Sequence, residues 1–295
     1  MEYKFVYAPE GYLRVDPLPS SAELSAYYSS DYYQNPHGTY ASEYTLEELR
    51  QKSVRNQFLF RMITDQVSHP KHFTFLDIGC GEGFLLATFS KNGWNSLGLD
   101  FSSYGVDKFN PSMRDTLIVG DIYKSIENLI ENSKAFDCIN LGNVLEHVIS
   151  PVLLLESIRN LMHQNSTLLI TVPNDFSKLQ KFLQDSNLIE KPYWIAVPDH
   201  LNYFNHNSLN ETVCRSKLIP TEVFADFPIE WFLTNDRSNY SIDPSVGKAA
   251  HIARIRVDTL ITSGEDFQAI KNFWSAMALV GQGRSVSVLC RKSDS

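Results

Sequence analysis

Short apolar runs alternate with longer amphipathic stretches between residues 73 and 173. The runs predict strands at 73–78, 96–99, 116–119, 136–141 and 167–172. Such runs are typical of strands that lie between two helical layers in a parallel sheet. The stretches between them predict helices, and the clearest begins at Ser150 and Pro151, a capping residue followed by a proline suited to the first turn. This alternation indicates an α/β fold with a doubly wound sheet.

The pattern is less regular on both sides of this region. It predicts a helix at about 45–67, a helix at about 267–279, and strands at 220–227 and 284–292, which would bring the sheet to seven strands. Residues 174–215 have the pattern of mixed helix and loop, and residues 229–265 have an irregular pattern. We therefore expect substrate-cap insertions at about 175–215 and 229–283, at the functional edge of the sheet.

Residues 1–55 are set apart by their aromatic content, because nine of the 14 tyrosines lie there. A tyrosine offers an apolar ring with a polar tip, which suits a packed arm as well as a binding surface. We interpret residues 1–55 as an N-terminal arm or cap and residues 56–295 as the main domain. Tyr32 and Tyr33 are the candidates in this arm for contact with a substrate.

The composition narrows the classes of partner. A net charge of −8 and a pI of about 5.5 describe an acidic surface, which repels a phosphate backbone, so nucleic acid is not an expected partner. No apolar run is long enough to span a membrane and the first residues lack the apolar core of a secretory signal, so we expect a cytoplasmic protein. The four cysteines form no Cys-x-x-Cys pair and no other ligand cluster stands out, so no metal is predicted.

The strongest chemical signal is Asp-Ile-Gly-Cys-Gly-Glu-Gly at 77–83, directly after the first strand of this region. Glycines allow a sharp turn and a close approach of the backbone to a ligand. Ligands of such sheets bind beyond the carboxyl ends of the strands. The spacing is Gly-x-Gly-x-Gly rather than the Gly-x-Gly-x-x-Gly of dinucleotide-binding folds, which argues against NAD.

Three further signals follow at the ends of the next strands. Asp100 ends the second strand, where a carboxylate can accept hydrogen bonds from both hydroxyls of a ribose. Asp121 and Ile122 follow the third strand, where the acid can accept from an adenine amino group and the aliphatic side chain can pack on the ring. The fourth strand closes with Asn-Leu-Gly-Asn-Val-Leu-Glu-His at 140–147.

Taken in order, these motifs resemble class I S-adenosylmethionine (SAM)-dependent methyltransferases over about residues 70–175. The resemblance implies a Rossmann-like, mostly parallel, seven-stranded sheet with helices on both faces. It also implies SAM as the cofactor, with S-adenosylhomocysteine as its product. The cofactor-binding residues that it implies are Asp77, Gly79, Cys80, Gly81, Asp100, Phe101, Asp121, Ile122, Asn140, Leu141 and Asn143.

Methyl transfer needs a group that removes the acceptor's proton, and histidine is the usual choice near neutral pH. Of the eight histidines, His147 and His200 lie nearest to the expected methyl position, and the sequence does not rank them. The segment Val-Pro-Asp-His-Leu-Asn-Tyr-Phe at 197–204 resembles an Asp/Glu-His-x-x-Tyr-Phe stretch of sugar methyltransferases, which implies that His200 is the base. The catalytic candidates are His200, His147, Tyr203 and Glu146. The candidate substrate contacts are Tyr32, Tyr33, Asn174 and Asp199.

The leading hypothesis is transfer of a methyl group from SAM to a sugar hydroxyl, on a nucleotide sugar or a surface-glycan unit. The polar residues at 202–207 and 235–239 favour such a hydroxyl-rich acceptor. A small-molecule phenol or quinone precursor is the runner-up. Sugar C-methylation is disfavoured because the chain lacks the cysteine-rich zinc module of sugar C-methyltransferases. A non-catalytic SAM-binding subunit and a homodimer both stay open.

Overall fold

The computed structural model describes residues 3–20, 23, 43–67 and 73–293. The strands are β1 (Lys4–Tyr7), β2 (Leu13–Asp16), β3 (Thr74–Ile78), β4 (Asn95–Asp100), β5 (Leu117–Val119), β6 (Phe136–Gly142), β7 (Met162–Pro173), β8 (Asn202–Tyr203), β9 (Leu218–Ala225) and β10 (Ser285–Lys292). The helices are α1 (Leu46–Thr64), α2 (Phe84–Lys91), α3 (Tyr104–Phe109), α4 (Ile122–Glu131), α5 (Pro151–Arg159), α6 (Lys178–Asp185), α7 (His206–Arg215), α8 (Gly247–Thr262) and α9 (Phe267–Leu279). Short 3₁₀ segments lie at Pro111–Thr116, Leu145–His147, Ile229–Thr234 and Pro244–Val246.

Seven of these strands form one sheet in the order β5-β4-β3-β6-β7-β10-β9. Strands β5, β4, β3, β6 and β7 run parallel, and β10 is antiparallel to both of its neighbours. In this register, Asp77 lies opposite Gly98 of β4 on one side and Asn140 of β6 on the other. The expected Rossmann-like, mostly parallel α/β sheet is therefore confirmed.

Helices cover both faces of the sheet because each buries an apolar stripe. On one face, α4, α5 and α7 contribute buried side chains that include Ile126, Leu155 and Val213. On the other face, α1, α2 and α9 contribute buried side chains, among them Phe89, which stacks on Phe75 of β3 with ring centroids 3.6 Å apart. Truncating one such buried aromatic ring costs about 3–5 kcal/mol, so these layers fix the sheet and its carboxyl edge.

The expectation of an irregular chain over 229–265 is wrong for residues Gly247–Thr262, which form the 16-residue helix α8. Its local signals are weak. No side chain caps its first turn, and its apolar and charged residues are not separated onto opposite faces of the helix. Contacts with α1 stabilise it instead: His251 Nε2 lies 2.8 Å from Glu48, and Arg256 donates a 3.0 Å hydrogen bond to Glu47. Packing against α1, rather than its local sequence, therefore determines that this segment is helical.

Two helices within the stretches expected as caps, 175–215 and 229–283, pack on the sheet. Helix α7 packs on the sheet layer of β9 and β10, and helix α9 buries Trp274 against the sheet. Both helices thus belong to the layers that cover the sheet, which the apolar stripes alone could not distinguish from cap helices.

Residues 3–20, the first described part of the expected arm, include a hairpin. Strand β1 pairs with β2, and β2 pairs with β8 in a small antiparallel sheet. The backbone N–H of Val15 also donates to the carbonyl of Leu201 at 3.0 Å. The hairpin therefore holds the segment that carries His200. Among the described residues, no helix has both the length and the apolar character needed to span a membrane.

Candidate functional site

A cleft of about 1610 Å³ opens at the carboxyl ends of β3, β4, β6 and β7. Of the residues implied for cofactor binding, ten line it: Asp77, Gly79, Cys80, Gly81, Asp100, Phe101, Asp121, Ile122, Asn140 and Asn143. The eleventh, Leu141, is fully buried in the core and does not line the cleft. Its position within β6 explains this, because alternate residues of a strand face opposite sides.

The glycine turn after β3 approaches the next strands closely. Gly79 has a φ of +70°, and a Cβ at this position would lie 2.5 Å from Cγ2 of Val144, so no larger residue fits. The N–H groups of Gly79 and Cys80 both donate to the carbonyl of Leu99. Burial raises the pKa of the Cys80 thiol, so this cysteine stays protonated and acts as part of the wall.

Asp100 is held in place by the turn. Its Oδ2 accepts a 2.8 Å hydrogen bond from the N–H of Gly81, and its Oδ1 accepts one of 3.0 Å from the N–H of Ser102. Burial outweighs these bonds and raises the pKa of Asp100 to about 6. Further along the edge, the side chain of Asp121 caps helix α4. The next residue, Ile122, is 3% exposed and lines the cleft, so an apolar side chain lies beside this carboxylate.

Asp77 is the deepest carboxyl group at the methionine end. It is 2% exposed, and its Oδ1 accepts a 2.7 Å hydrogen bond from the side-chain amide of Asn140. Burial raises the pKa of Asp77 to about 7, and the charge of Asp100 adds to this effect. A ligand that brings positive charge to this edge would favour the ionised form of both carboxyl groups.

Helix α1 adds two cations to the cleft that the sequence analysis missed. Lys52 lines the cleft and its Nζ lies 3.1 Å from Glu82 in the glycine turn. Arg55, one helical turn further on, also lines the cleft, and its Nη1 has no hydrogen-bond partner. Lys52 and Arg55 are three residues apart, a spacing that places both side chains on one face of a helix. This spacing is the sequence signal that could have identified them.

The structure brings both candidate histidines together at the opposite end of the cleft. His147, in the 3₁₀ segment after β6, and His200, in the loop before β8, have ring centroids 4.9 Å apart. His147 Nδ1 donates to the carbonyl oxygen of Asp199 at 2.8 Å, and Asp199 Oδ1 lies 3.3 Å from the same nitrogen. Glu146 Oε1 lies 3.7 Å from His147 Nε2. All four residues line the cleft.

The two histidines have opposite electrostatic surroundings. Burial alone would lower the pKa of His147, but the carboxylates of Asp199 and Glu146 raise it to about 9. Burial and the neighbouring His147 lower the pKa of His200 to about 4. Burial also raises the pKa of Glu146 to about 7. At neutral pH, His200 is therefore the neutral ring of the pair.

Two of the predicted catalytic and substrate-binding residues also lie outside the cleft lining. Tyr203 is 2% exposed; its hydroxyl accepts from the N–H of Ala196 at 3.2 Å and donates to the carbonyl of His200 at 3.1 Å. It therefore positions the His200 backbone rather than facing a substrate. Asn174 is 3% exposed and donates its side-chain amide to the carbonyl of Gly283. Tyr32 and Tyr33 lie outside the described residues.

The polar stretches at 202–207 and 235–239 do not line this cleft either. Asn202 is buried, and its side-chain amide donates to the carbonyls of Leu145 and Val148, on either side of the Glu146-His147 turn. Asn205 caps helix α7, and Asn239 donates to two buried carbonyls. These asparagines organise the backbone, so the argument drawn from them for a hydroxyl-rich acceptor does not hold.

The family model described as "Methyltransferase domain" matches residues 50–215. This range includes the glycine turn, the Asp100 and Asp121 positions, and both histidines. The chain belongs to this methyltransferase family. It is a SAM-dependent methyltransferase, and its cofactor is SAM.

Two relatives with curated names are similar to this methyltransferase. The ubiquinone biosynthesis O-methyltransferase of Actinobacillus pleuropneumoniae is 29% identical over 105 residues, which cover 34% of this chain and 45% of the relative. The chain thus matches less than half the length of that protein. The mitochondrial ubiquinone biosynthesis O-methyltransferase of Dictyostelium discoideum is 24% identical over 237 residues, covering 70% of this chain and 71% of the relative.

Among solved structures, the chain is similar to one from the complex between the Haloferax volcanii Trm112 methyltransferase activator and its methyltransferase. The TM-score is 0.52 at 15% identity, with 84% of this chain and 92% of that chain covered. At this identity the likeness supports the fold.

The residues present fit SAM. The cleft offers a glycine turn that a single Cβ would block at Gly79, a carboxylate oriented by two backbone N–H groups at Asp100, and an acid beside an apolar wall at Asp121. Lys52 and Arg55 would supply positive charge for the carboxylate of SAM, and Asp77 would supply negative charge for its ammonium group. The histidine cluster lies in the same cleft, where an acceptor can approach the reacting end.

Proposed function

We propose that this methyltransferase methylates a hydroxyl oxygen of a small polar acceptor, with a sugar as the leading class. The observation that carries the proposal is the lining of the cleft outside the cofactor motifs. Its polar members are Gln51, Asn56, Glu146, His147, Ser150, Ser157, Thr171, Asp199, His200 and Asp226. A hydroxyl-rich molecule can exchange hydrogen bonds with such a lining, whereas an apolar acceptor would leave buried polar groups unpaired.

SAM supplies a methyl group that its sulfonium charge has already activated, so the protein needs to align the acceptor and take its proton. His200 is the proposed base because it lines the cleft and its ring is neutral at working pH. His147 and Asp199 lie beside His200. The carboxylate of Asp199 balances the positive charge of His147. The hydroxyl proton passes to His200 as the oxygen takes the methyl group, and S-adenosylhomocysteine leaves.

A phenol or quinone precursor is the second candidate acceptor. The names of the two curated relatives favour it, since both are ubiquinone biosynthesis O-methyltransferases. An apolar strip in the cleft wall, formed by Val148, Ile149 and Leu153, could contact one face of an aromatic ring. A phenol is also a stronger acid than a sugar hydroxyl, so it would depend less on the base.

A labelling experiment separates the two candidates. The protein is incubated with methyl-labelled SAM and, in separate reactions, nucleotide sugars, surface-glycan fragments and catechol-type phenols. Label in a sugar fraction supports the leading proposal, and the loss of that label in His200→Ala supports the base. Label confined to the phenols would move the assignment to the second candidate. No transfer to any acceptor, with SAM bound, would contradict both.

A further inference from the structure

Two exposed aromatic side chains lie beside the turn that leads into β10, outside the cleft lining. Tyr193 is 37% exposed and Trp231 is 43% exposed. The indole Nε1–H of Trp231 donates a 2.9 Å hydrogen bond to Oε1 of Gln282. The guanidinium carbon of Arg284 lies 5.9 Å from the centre of the Tyr193 ring. We call these four residues, Tyr193, Trp231, Gln282 and Arg284, the aromatic patch.

Arg284 is fixed in place by two buried carboxyl groups. Its Nη1 lies 3.4 Å from Oδ1 of Asp175 and 3.6 Å from Oε1 of Glu230, and both acids are 1% exposed. Its own side chain is 34% exposed. Among the described residues, neither its Nε nor its Nη2 has a hydrogen-bond partner. Because a guanidinium is rigid and planar, fixing one nitrogen holds the remaining N–H donors in place for a ligand.

The charges around Arg284 favour a neutral ligand. Burial raises the pKa of Asp175 to about 7 and also raises the pKa of Glu230, while the guanidinium charge opposes both shifts. The two carboxyl groups thus already pair with the cation, and Asp226 acts on it as a further acid. A phosphate or another carboxylate would add negative charge to this group of acids, whereas a hydroxyl can accept from the free N–H donors without adding charge.

Exposed rings with polar groups at their edges suit a sugar. One face of a sugar ring carries C–H groups and can pack on an aromatic side chain, while its hydroxyls bond to neighbouring polar groups. In the patch, Arg284 supplies N–H donors next to Tyr193, and the side-chain amide of Gln282 lies next to Trp231. Exposed apolar surface with a polar rim is also typical of binding sites.

The patch adjoins the side of the cleft that carries the proposed base. Ser285, the residue after Arg284, donates its N–H to Oδ1 of Asp226 at 2.6 Å, and Asp226 lines the cleft. The charge of Arg284 also contributes to the lowered pKa of His200, so the two side chains lie close enough to interact. A ligand with more than one ring can therefore extend from the patch toward His200.

We propose that the aromatic patch binds a neutral glycosyl unit that is linked to the unit methylated beside His200. The acceptor is then a glycan of two or more units rather than a single sugar unit. This inference rests on the proposed function, because a simple phenol has no second sugar unit. The patch contributes binding and specificity, and the chemistry of the transfer is unchanged.

Binding is tested with the full chain and S-adenosylhomocysteine on an array of neutral, uronic-acid-bearing and phosphorylated glycans. The expected result is retention on neutral glycans of two or more units. Tyr193→Leu and Trp231→Leu should each weaken this binding by about tenfold, because leucine removes the flat ring. Tyr193→Phe and Trp231→Phe keep a ring and should stay within about threefold of the unaltered protein. Phe273→Leu changes a ring that is 38% exposed on α9, outside the patch, and should bind normally.

A kinetic comparison then shows whether the patch serves the reaction. Labelled methyl transfer is measured on the glycan that binds most tightly and on the methyl glycosides of its separate units. The unaltered protein should have a kcat/KM at least about tenfold higher for the glycan. Trp231→Leu should abolish most of this preference while keeping its activity on the single units. A purely structural role of Trp231 would lower both values alike.

The proposal fails if natively folded protein, checked by circular dichroism, retains no glycan or prefers the anionic ones. It also fails if both leucine variants bind neutral glycans as tightly as the unaltered protein. Methyl transfer to single sugars that does not depend on the patch would remove only this inference and leave the proposed function intact. Label confined to phenols would instead contradict the proposed function and this inference together.

Discussion

The side-chain amide of Asn140 donates a 2.7 Å hydrogen bond to Oδ1 of Asp77 across the neighbouring strands β6 and β3. This contact joins the fourth-strand motif to the glycine-turn motif, which are far apart in sequence. It holds a buried carboxyl group, whose pKa burial raises to about 7, at the edge where the methionine end of SAM is expected. Two testable consequences follow for pH.

SAM binding should weaken as the pH falls from 8 to 6. The bound cofactor is expected to require ionised Asp77, and a carboxyl group with a pKa of about 7 is mostly protonated at pH 6. The dissociation constant should therefore rise about tenfold over this range. Calorimetry with S-adenosylhomocysteine and SAM at each pH measures it. A constant affinity over the range would show that Asp77 does not contact the charged end.

The unliganded protein should show the opposite trend in stability. The folded pKa of Asp77 lies above its unfolded value of 3.8, so its contribution to stability is present below that value and is lost as the pH rises through about 7. Asp77→Asn should therefore raise Tm at pH 8 by several degrees while it weakens SAM binding. Thermal melts at pH 5 and pH 8 check this, since the gain at pH 5 should be less than half of the gain at pH 8.

Gly79→Ala should abolish SAM binding and destabilise the fold. The new Cβ would lie 2.5 Å from Val144, and the φ of +70° is unfavourable for alanine. Gly93→Ala is the matched control: its φ is +83°, but a Cβ there meets nothing within 4 Å. The control should lose about 1 kcal/mol of stability from backbone strain and keep SAM binding. Equal effects in the two variants would contradict the close approach at Gly79.

Asn202→Ala should lower kcat by tenfold or more. Its amide donates to Leu145 and Val148, which flank the Glu146-His147 turn, and small displacements of catalytic groups reduce rates strongly. Asn239→Ala is the control, because Asn239 is equally buried and also donates to two carbonyls, those of Leu188 and Leu233.

Both variants should lose a similar free energy of unfolding, about 2 kcal/mol, because each removes two hydrogen bonds from a buried amide to backbone carbonyls. Chemical denaturation measures this loss, and labelled methyl transfer measures kcat. If Asn239→Ala lost as much activity as Asn202→Ala, the effect on kcat would reflect stability rather than the position of the turn.

Tyr203→Phe should lower kcat several-fold with little change in KM for SAM. The variant loses the hydroxyl that joins Ala196 and His200, so the His200 loop loses one support while the cofactor end is untouched. Tyr12→Phe removes a hydroxyl from another buried tyrosine, which packs on Phe204, and should keep full activity. A direct catalytic role of Tyr203 would instead give a loss of several orders of magnitude.

The sequence by itself determined the cofactor half of the site and the sheet that carries it. Asp77 and Asp100 lie in the last residues of β3 and β4, the glycine turn follows β3, and Asp121 comes soon after β5, so their chemistry depends on local backbone geometry at a strand end. Short-range patterns encode such geometry well, because a glycine with positive φ or a capping acid has few substitutes. Ten of the residues implied for the cofactor therefore lie in one cleft.

Only the tertiary structure decided how the second half of the cleft is built. It placed His147 beside His200, buried Tyr203 and Asn174 in hydrogen bonds to backbone carbonyls, and packed α8 against α1. Each of these outcomes depends on contacts between residues far apart in the chain. No local pattern fixes such contacts, because packing and burial of the whole fold select one partner among many that the sequence allows.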